Sequence, residues 1–195
     1  MVASARVSVS PIVDRADFFA TMGAFPTGVT VVTSMDEYGH PRGLTCNAFS
    51  SVSADPPLLM VCLDRRSSSL DAVLESGRFV VNFLAADRGF VSDRFAGKRP
   101  DKFWGIRWET ALNGMPILVD DAIAYAACRV VQTVEAGDHI MLIGLVEEAQ
   151  PPAPGSEPLV YFRRQYGTVN LSPERRDEPA ERLGRVVPIG GESRR

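Results

Sequence analysis

Three short apolar runs constrain the fold of this chain most: Gly28-Val-Thr-Val-Val-Thr-Ser34, Leu58-Leu-Met-Val-Cys-Leu63 and Phe79-Val-Val-Asn-Phe-Leu84. The first is β-branched at nearly every position, the composition of a strand buried on both faces or set in a barrel wall. None approaches the roughly 20 apolar residues of a membrane helix. Turn residues punctuate them. Asp36-Glu-Tyr-Gly-His-Pro41 predicts a reversal with residues 43–53 returning as a hairpin partner, and Pro56-Pro57 introduces the second run. Residues 116–134 predict a long strand centred on 122–134. Gly137-Asp138 turns it into a partner over residues 139–146, and a Pro-rich loop precedes a last strand, Leu159-Val-Tyr-Phe162.

Helices are few and short. Asp14 is placed to cap one that carries Phe18, Phe19 and Met22 and ends at Gly23 and Pro26. Ser68 with Asp71 forms a capping-box-like start for a second, with Leu70, Val73 and Leu74 on one stripe and Gly77 as C-cap. Asp87 is placed to cap a third, carrying Phe90, Val91 and Phe95 and failing at Gly97 and Pro100. Six or seven β segments with two or three short helices predict a mainly β protein. A β-barrel with Greek-key-like connections fits better than a doubly wound sheet.

The 195 residues divide into a leader over 1–13, one folded domain over 14–169 and a polar tail over 170–195, read as extended or partly disordered. The tail's apolar interruptions are Leu183 and Val186-Val187-Pro188-Ile189. Balanced charge, 21 Lys+Arg against 24 Asp+Glu, points to neither nucleic acid nor membrane as a partner. Cys46, Cys62 and Cys128 are far apart and odd in number, which suits the cytoplasm better than a stapled secreted fold. The first residues lack the basic and apolar regions of a signal peptide.

The motifs of common catalytic folds are missing. No G-x-G-x-x-G follows a strand, and neither G-x-x-x-x-G-K-[ST], G-x-S-x-G nor H-E-x-x-H occurs. What remains is the run of small polar residues Thr45-Cys-Asn-Ala-Phe-Ser-Ser-Val-Ser53 and the triplet Ser67-Ser-Ser69, with Arg65 and Arg66 beside it. Short side chains let a backbone approach a flat, hydrogen-bonding ring. Hydroxyls and N–H groups at a helix start suit an anion. Taken singly, the first is also an ordinary hairpin strand and the second a set of caps; together they sketch a nucleotide-like ligand.

Six strings in order then make the chain resemble the short-chain flavin reductases of two-component flavin-dependent monooxygenases, within the flavin-reductase-like, FMN-binding split-barrel superfamily. They are Phe25-Pro-Thr-Gly-Val-Thr-Val-Val-Thr33; Gly43 to Ser53 with Pro56-Pro57-Leu58; Ser76-Gly-Arg-Phe-Val-Val-Asn82; Arg94-Phe-Ala-Gly97; Ala136-Gly-Asp-His139; and Pro158-Leu-Val-Tyr-Phe-Arg-Arg-Gln-Tyr-Gly167. The resemblance implies a flavin, FMN or FAD, held mainly by backbone and small side chains. Thr45, Cys46, Asn47 and Ala48 would line the ring, with Ser50, Ser51 and Ser53 nearby. Cys62, Leu63 and Asp64 would form the other wall, and Ser67, Ser68 and Ser69 would approach the ribityl phosphate.

The resemblance also makes Arg94 a phosphate or partner-subunit contact, a surface ion pair being the plainer reading. It assigns His139 to the nicotinamide side of the flavin, Asp138 to orienting its turn, and Tyr166 to closing the site. Cys46 stands where relatives often carry a small or polar residue. The implied activity is hydride transfer from NADH or NADPH to flavin, the dinucleotide folding over the flavin without a Rossmann fingerprint. A homodimer and an oxygenase partner served by diffusing reduced flavin are implied as well. The alternative is a non-catalytic flavin- or haem-binding split-barrel protein, a carrier or sensor.

Overall fold

The computed structural model describes residues 13–169 of the 195; the tail and nearly all of the leader lie outside the described residues. The chain runs α1 (Arg15–Met22), β1 (Thr27–Gly28), β2 (Thr30–Met35), β3 (Pro41–Cys46), β4 (Phe49–Ala54), β5 (Pro57–Asp64), α2 (Ser68–Ser76), β6 (Arg78–Leu84) and α3 (Gly89–Ala96). It continues with β7 (Glu109–Thr110), β8 (Pro116–Ile117), β9 (Ala122–Ala136), β10 (His139–Gln150), β11 (Val160–Phe162) and β12 (Gln165–Gly167). Strands account for 47% of the described residues and helices for 16%, so this part of the chain is mainly β.

Seven strands form one antiparallel sheet in the order β3-β2-β6-β9-β10-β5-β4. The predicted single strand over 43–53 is therefore two strands. β3 pairs with β2, ending at Thr30↔Cys46, and β4 pairs with β5 across the tight Ala54↔Pro57 turn. Consecutive in the chain, β3 and β4 nevertheless occupy opposite edges of the sheet, joined only by Asn47 and Ala48. The sheet must curl until its edges meet at that link. A Cys62 N–H donates to Ala48 O at 3.0 Å and stitches the link to β5. Bulges where β9 meets β10 at Ile143/Gly144 and Val146/Glu148 add local twist.

β2 is buried from Thr30 to Ser34, as its β-branched run predicts. Val32 packs with Leu59, Val61, Leu63, Phe79 and Leu142 in one cluster, which the α2 residues Leu70 and Val73 complete. Val31 faces the opposite way, among Leu84, Val91, Phe95 and Leu118 beneath α3. At about 1.5–3 kcal/mol per fully buried aliphatic or aromatic side chain, these two faces hold the curled sheet together.

The helix caps differ from the sequence reading at two places. Asp14 caps α1 as expected, accepting the Ala16 N–H at 2.7 Å. The N-cap of α2 is Ser67, not Ser68, and accepts the Ser69 N–H at 3.3 Å; Gly77 ends it in the left-handed region at φ 64°. Asp87 does not cap α3: the cap residue is Arg88, without a side-chain bond, and the Asp87 carboxylate faces the Arg88 guanidinium at 3.6 Å. Farther on, Asp120 and Asp121 form a turn that separates β8 from β9. β10 runs four residues past the predicted end, to Gln150. β12 was not expected. It returns from β11 through Arg163 and Arg164, both at positive φ (49° and 63°), the geometry of a two-residue hairpin turn usually filled by Asn-Gly.

Candidate functional site

The carboxyl end of β5 is where the structure gathers the chemistry. Asp64 is the last residue of β5 and lies opposite His139, the first of β10. The chain then turns through Arg65 and Arg66 into Ser67 and α2, while the Arg65 N–H donates to Asp138 O at 3.0 Å. One backbone bond thus ties the helix start to the tip of the β9–β10 hairpin. The Arg66 side chain donates twice to the Asp64 carboxylate, at 3.1 and 2.7 Å, and its backbone N–H donates to the same group. Those bonds, led by the guanidinium, hold the Asp64 carboxyl well below the usual range.

His139 is half-exposed, with Nδ1 2.7 Å from Asp138 Oδ1. A carboxylate can only accept, so Nδ1 carries the proton and neutral imidazole keeps Nε2 as an acceptor for a ligand. The same bond lowers the Asp138 pKa. Asp138 therefore sets the tautomer of His139 in addition to shaping the turn.

At the edge-to-edge link, Asn47, Ala48, Ser50 and Ser51 are exposed and Ser53 is half-buried. Asn47 Nδ2 reaches Thr27 Oγ1 at 3.4 Å. The buried Cys46 thiol donates to Ala48 O and Cys62 O at 3.7 and 3.6 Å, and burial pushes its pKa up to about 11. Burial raises the Cys62 thiol as well. Thr45 Oγ1 donates to Ser92 O on α3. Tyr166 Oη donates to Asp93 Oδ1 at 2.7 Å and accepts from Ser92 Oγ at 3.0 Å. The Tyr166 ring lies flat against Gly89, where a Cβ would come within 3.1 Å of it. Arg94, on the same helix, donates to Trp104 O at 2.6 Å. This makes it a strut for the 97–105 loop as well as a candidate contact.

Three of the residues put forward from sequence are largely buried, and Cys46, at 6% exposure, packs in the core. Leu63 is fully buried in the core and lies in register with Ile140 in the ladder. Ser69 is only 3% exposed, because the first turn of α2 packs inward. The Leu63 side chain faces the core, whereas Ser69 still lines the cleft beside the α2 start. Thr45, Asp64, Ser67, Ser68 and Ser69 line a cleft of about 670 Å³ between the α2 start and the segment after α3. Its other wall carries Lys98, Arg99, Lys102 and Phe103, none of them picked out from sequence. Their only sequence signal is the basic run Lys98-Arg-Pro-Asp-Lys102 directly after Arg94-Phe-Ala-Gly97. Ser92 gives no signal at all. It matters because it is buried between two strands distant in sequence.

The family model for the flavin reductase like domain matches residues 22–170. This chain belongs to the flavin-reductase-like family. It is 46% identical over 156 residues to a flavin reductase (NADH) of Kitasatospora aureofaciens, covering 80% of this chain and 82% of that one. With the reductase subunit HsaB of a flavin-dependent monooxygenase of Mycobacterium tuberculosis it shares 37% over 168 residues, 86% of this chain and 88% of the other. Among solved structures it superposes on the Streptomyces globisporus NADH:FAD oxidoreductase SgcE6, in complex with NAD and FAD fragments. That match has a TM-score of 0.75 and 29% identity, and covers 85% and 99% of the two chains.

The site of this flavin-reductase-like chain fits a flavin. Exposed short side chains at the link leave room for a planar ring, and a cleft with hydroxyls and cations adjoins them. Among the described residues Lys98 has no ion pair, and Lys102 bonds only to carbonyls.

Proposed function

We propose that this chain is an NAD(P)H:flavin oxidoreductase that supplies reduced flavin to a partner monooxygenase. The observation that carries it is the meeting, at the end of β5, of the serine-rich helix start with the Asp138–His139 pair. That corner joins an anion site to a polarised imidazole beside the exposed link at residues 47–48. Bound flavin and nicotinamide themselves supply the hydride chemistry. The chain's residues bind and orient. Thr45, Cys46, Asn47 and Ala48 line the ring largely with backbone, helped by Ser50, Ser51 and Ser53; Cys62 and Asp64 flank them. Ser67 and Ser68 take the phosphate. His139 offers Nε2 to the reductant, and Tyr166 with Arg94 bounds the far side through α3. Proximity, worth several powers of ten when two reactants are held in line, is what such a site contributes.

The curled sheet, with edges joined at residues 47–48, is read as the split barrel of the family. A homodimer reading is supported by α1, which buries none of its residues and leaves Phe18, Phe19 and Met22 about half exposed, with Phe25 71% exposed. An apolar face of that kind wants a partner. The three cysteines are free thiols, which supports a cytoplasmic setting. Among the described residues no helix is long and apolar enough to cross a membrane.

The test is NADH and NADPH oxidation, followed at the nicotinamide absorbance band with FMN or FAD added. Purified protein should accelerate it strongly. Flavin binding without acceleration by either reductant would favour the non-catalytic carrier and overturn the enzymatic reading.

A further inference from the structure

Among the described residues, Arg15, Arg163 and Arg164 give their guanidinium groups neither a hydrogen bond nor an ion pair, and all of them line one groove. It encloses about 780 Å³ between α1 and the β11–β12 turn, with Ala16, Phe19, Ala20 and Gly23 as its apolar side. Every other described arginine is held by a carboxylate or, for Arg78 and Arg94, by a carbonyl. The one acid in the lining, Asp14, caps α1 through the Ala16 N–H.

The turn is an unusual place for arginine. Arg163 and Arg164 hold φ 49° and 63°, where a side chain is strained and glycine is not. The Arg163 N–H donates to Gly23 O at 3.1 Å and fixes the turn against the end of α1. The guanidinium groups of Arg15 and Arg163 lie over the Phe19 and Phe162 rings at 5.2 and 5.1 Å. Stacked in this way, each keeps its N–H donors free for the paired oxygens of a carboxylate.

The groove is wide open to solvent, which suits a segment carried on another protein better than an enclosed small ligand. Cations beside Phe19 and two alanines fit acidic residues interspersed with apolar ones. Phe18, Met22 and Phe25, the apolar residues offered to a second copy, lie outside the lining, so Phe19 alone is shared with that surface. The groove also stands close to the flavin link. Tyr161, two residues before Arg163, lies opposite Thr27, whose Oγ1 accepts from Asn47 Nδ2 at 3.4 Å.

We infer that this groove docks an acidic segment of the oxygenase partner beside the flavin site. The inference rests on the flavin-reductase reading and adds to it a surface and the chemistry of the partner that fits it.

The probe is a dye-labelled peptide of alternating Glu and Phe, titrated with the full-length chain and read by fluorescence anisotropy. It should bind, and added salt should weaken it. The same peptide with Gln for Glu should bind at least about tenfold more weakly, the size of one charge-assisted contact. Arg163→Asn combined with Arg164→Gly installs the residues such a turn favours, so this variant should melt no lower than the wild type. Its affinity for the Glu peptide should nevertheless fall at least about tenfold. Arg15→Gln should weaken binding from the other wall. No binding, equal binding of the Gln peptide, or undiminished binding by the turn variant would overturn the inference. So would inorganic pyrophosphate binding more tightly than the peptide, which would give the groove to a free anion. A change of sedimenting mass in the turn variant would give it to a second copy instead and overturn the inference equally. NADH oxidation with free flavin, measured in parallel, keeps the two readings apart. Turnover without peptide binding sinks only the groove assignment, and peptide binding without turnover sinks only the reductase.

Discussion

Asn82 is the residue on which the packing of the site wall most depends, and replacing it with Ala tests that reasoning. It lies fully buried in β6 directly opposite Val31 of β2. Its Nδ2 donates to Val31 O and Thr33 Oγ1, both at 3.0 Å, while its Oδ1 accepts the Leu118 N–H at 2.9 Å. One amide thus fastens two adjacent strands to the segment that leads from β8 into β9. In Asn82→Ala the Leu118 N–H, itself in a fully buried residue, loses its acceptor, and two further groups lose a donor. A stranded buried group costs about 1–3 kcal/mol, and each lost bond about 0.5–1.5 kcal/mol net. The sum is roughly 2–6 kcal/mol, a large share of the about 5–15 kcal/mol that holds a domain folded. At roughly 2–4 °C per kcal/mol for a chain of this size, Tm should fall by on the order of 10 °C. Denaturant unfolding should show a lower midpoint at unchanged slope. Asn82→Asp keeps the acceptor for Leu118 but loses both donors and buries a carboxylate. Its folded-state pKa is raised, so the variant should regain stability as pH falls through that value. A loss below about 1 kcal/mol for Asn82→Ala, or no pH response in Asn82→Asp, would refute the network argument.

Three other perturbations follow from the geometry. Gly144→Ala places a Cβ 2.6 Å from Phe79 Cζ and 2.9 Å from Cys128 Cβ, both in fully buried residues. It should cost about 1–3 kcal/mol by overpacking, and an unchanged melting temperature would show that the bulge there yields. His139→Ala should raise the KM for NADH while flavin affinity, titrated separately, stays within a factor of about two; unchanged NADH kinetics would remove His139 from the site. The carboxylates of Asp36, Asp64, Asp101 and Asp138 all have pKa values lowered in the folded state. Their contribution is complete above about pH 4 and is lost as pH falls through the folded values. Buried Asp121 has the opposite sign, its pKa raised by desolvation. Acid titration at moderate ionic strength should therefore show stability falling chiefly below about pH 4; a steep loss already between pH 6 and 5 would contradict this assignment.

Most strands were legible because burial demands apolar runs: β2 is largely β-branched along its buried length, and β5 and β6 carry apolar stretches. The Gly137-Asp138 hairpin and the Gly77 stop were legible for a conformational reason, since both glycines adopt positive φ (62° and 64°). The split at residues 47–48 was not legible. Nothing in Thr45-Cys-Asn-Ala-Phe-Ser-Ser says that the chain changes partners there, because partner choice is set by the whole sheet's curl and not by local propensity. The β11–β12 turn escaped for the reverse reason: Arg163-Arg164 breaks the usual turn chemistry. In the site, Ser67 could be read from sequence as a local motif, whereas Asp64 and the Asp138–His139 pair came only with the family resemblance. Lys98 and Lys102 could not, since their bearing on the serines comes only from the fold of α3 onto β3.

The position of the change at residues 47–48 explains why this site manages with so few chemically distinctive residues. An edge strand carries a row of N–H and C=O groups that no ladder consumes. Here both sheet edges, β3 and β4, converge on one two-residue link, and of its groups the Ala48 carbonyl is taken by Cys62. The seam therefore concentrates unused backbone donors and acceptors in one place. The side chains next to it have to be short for a planar ligand to reach them, as Ala48, Ser50 and Ser51 are. A site of this kind needs neither metal ligands nor a nucleophile of its own, and the low His and Cys content follows from where recognition is done. On the proposed reading, the polar side chains that remain stand at the seam's ends: serines and cations for the phosphate, and one histidine, its tautomer set by Asp138, for the second ring.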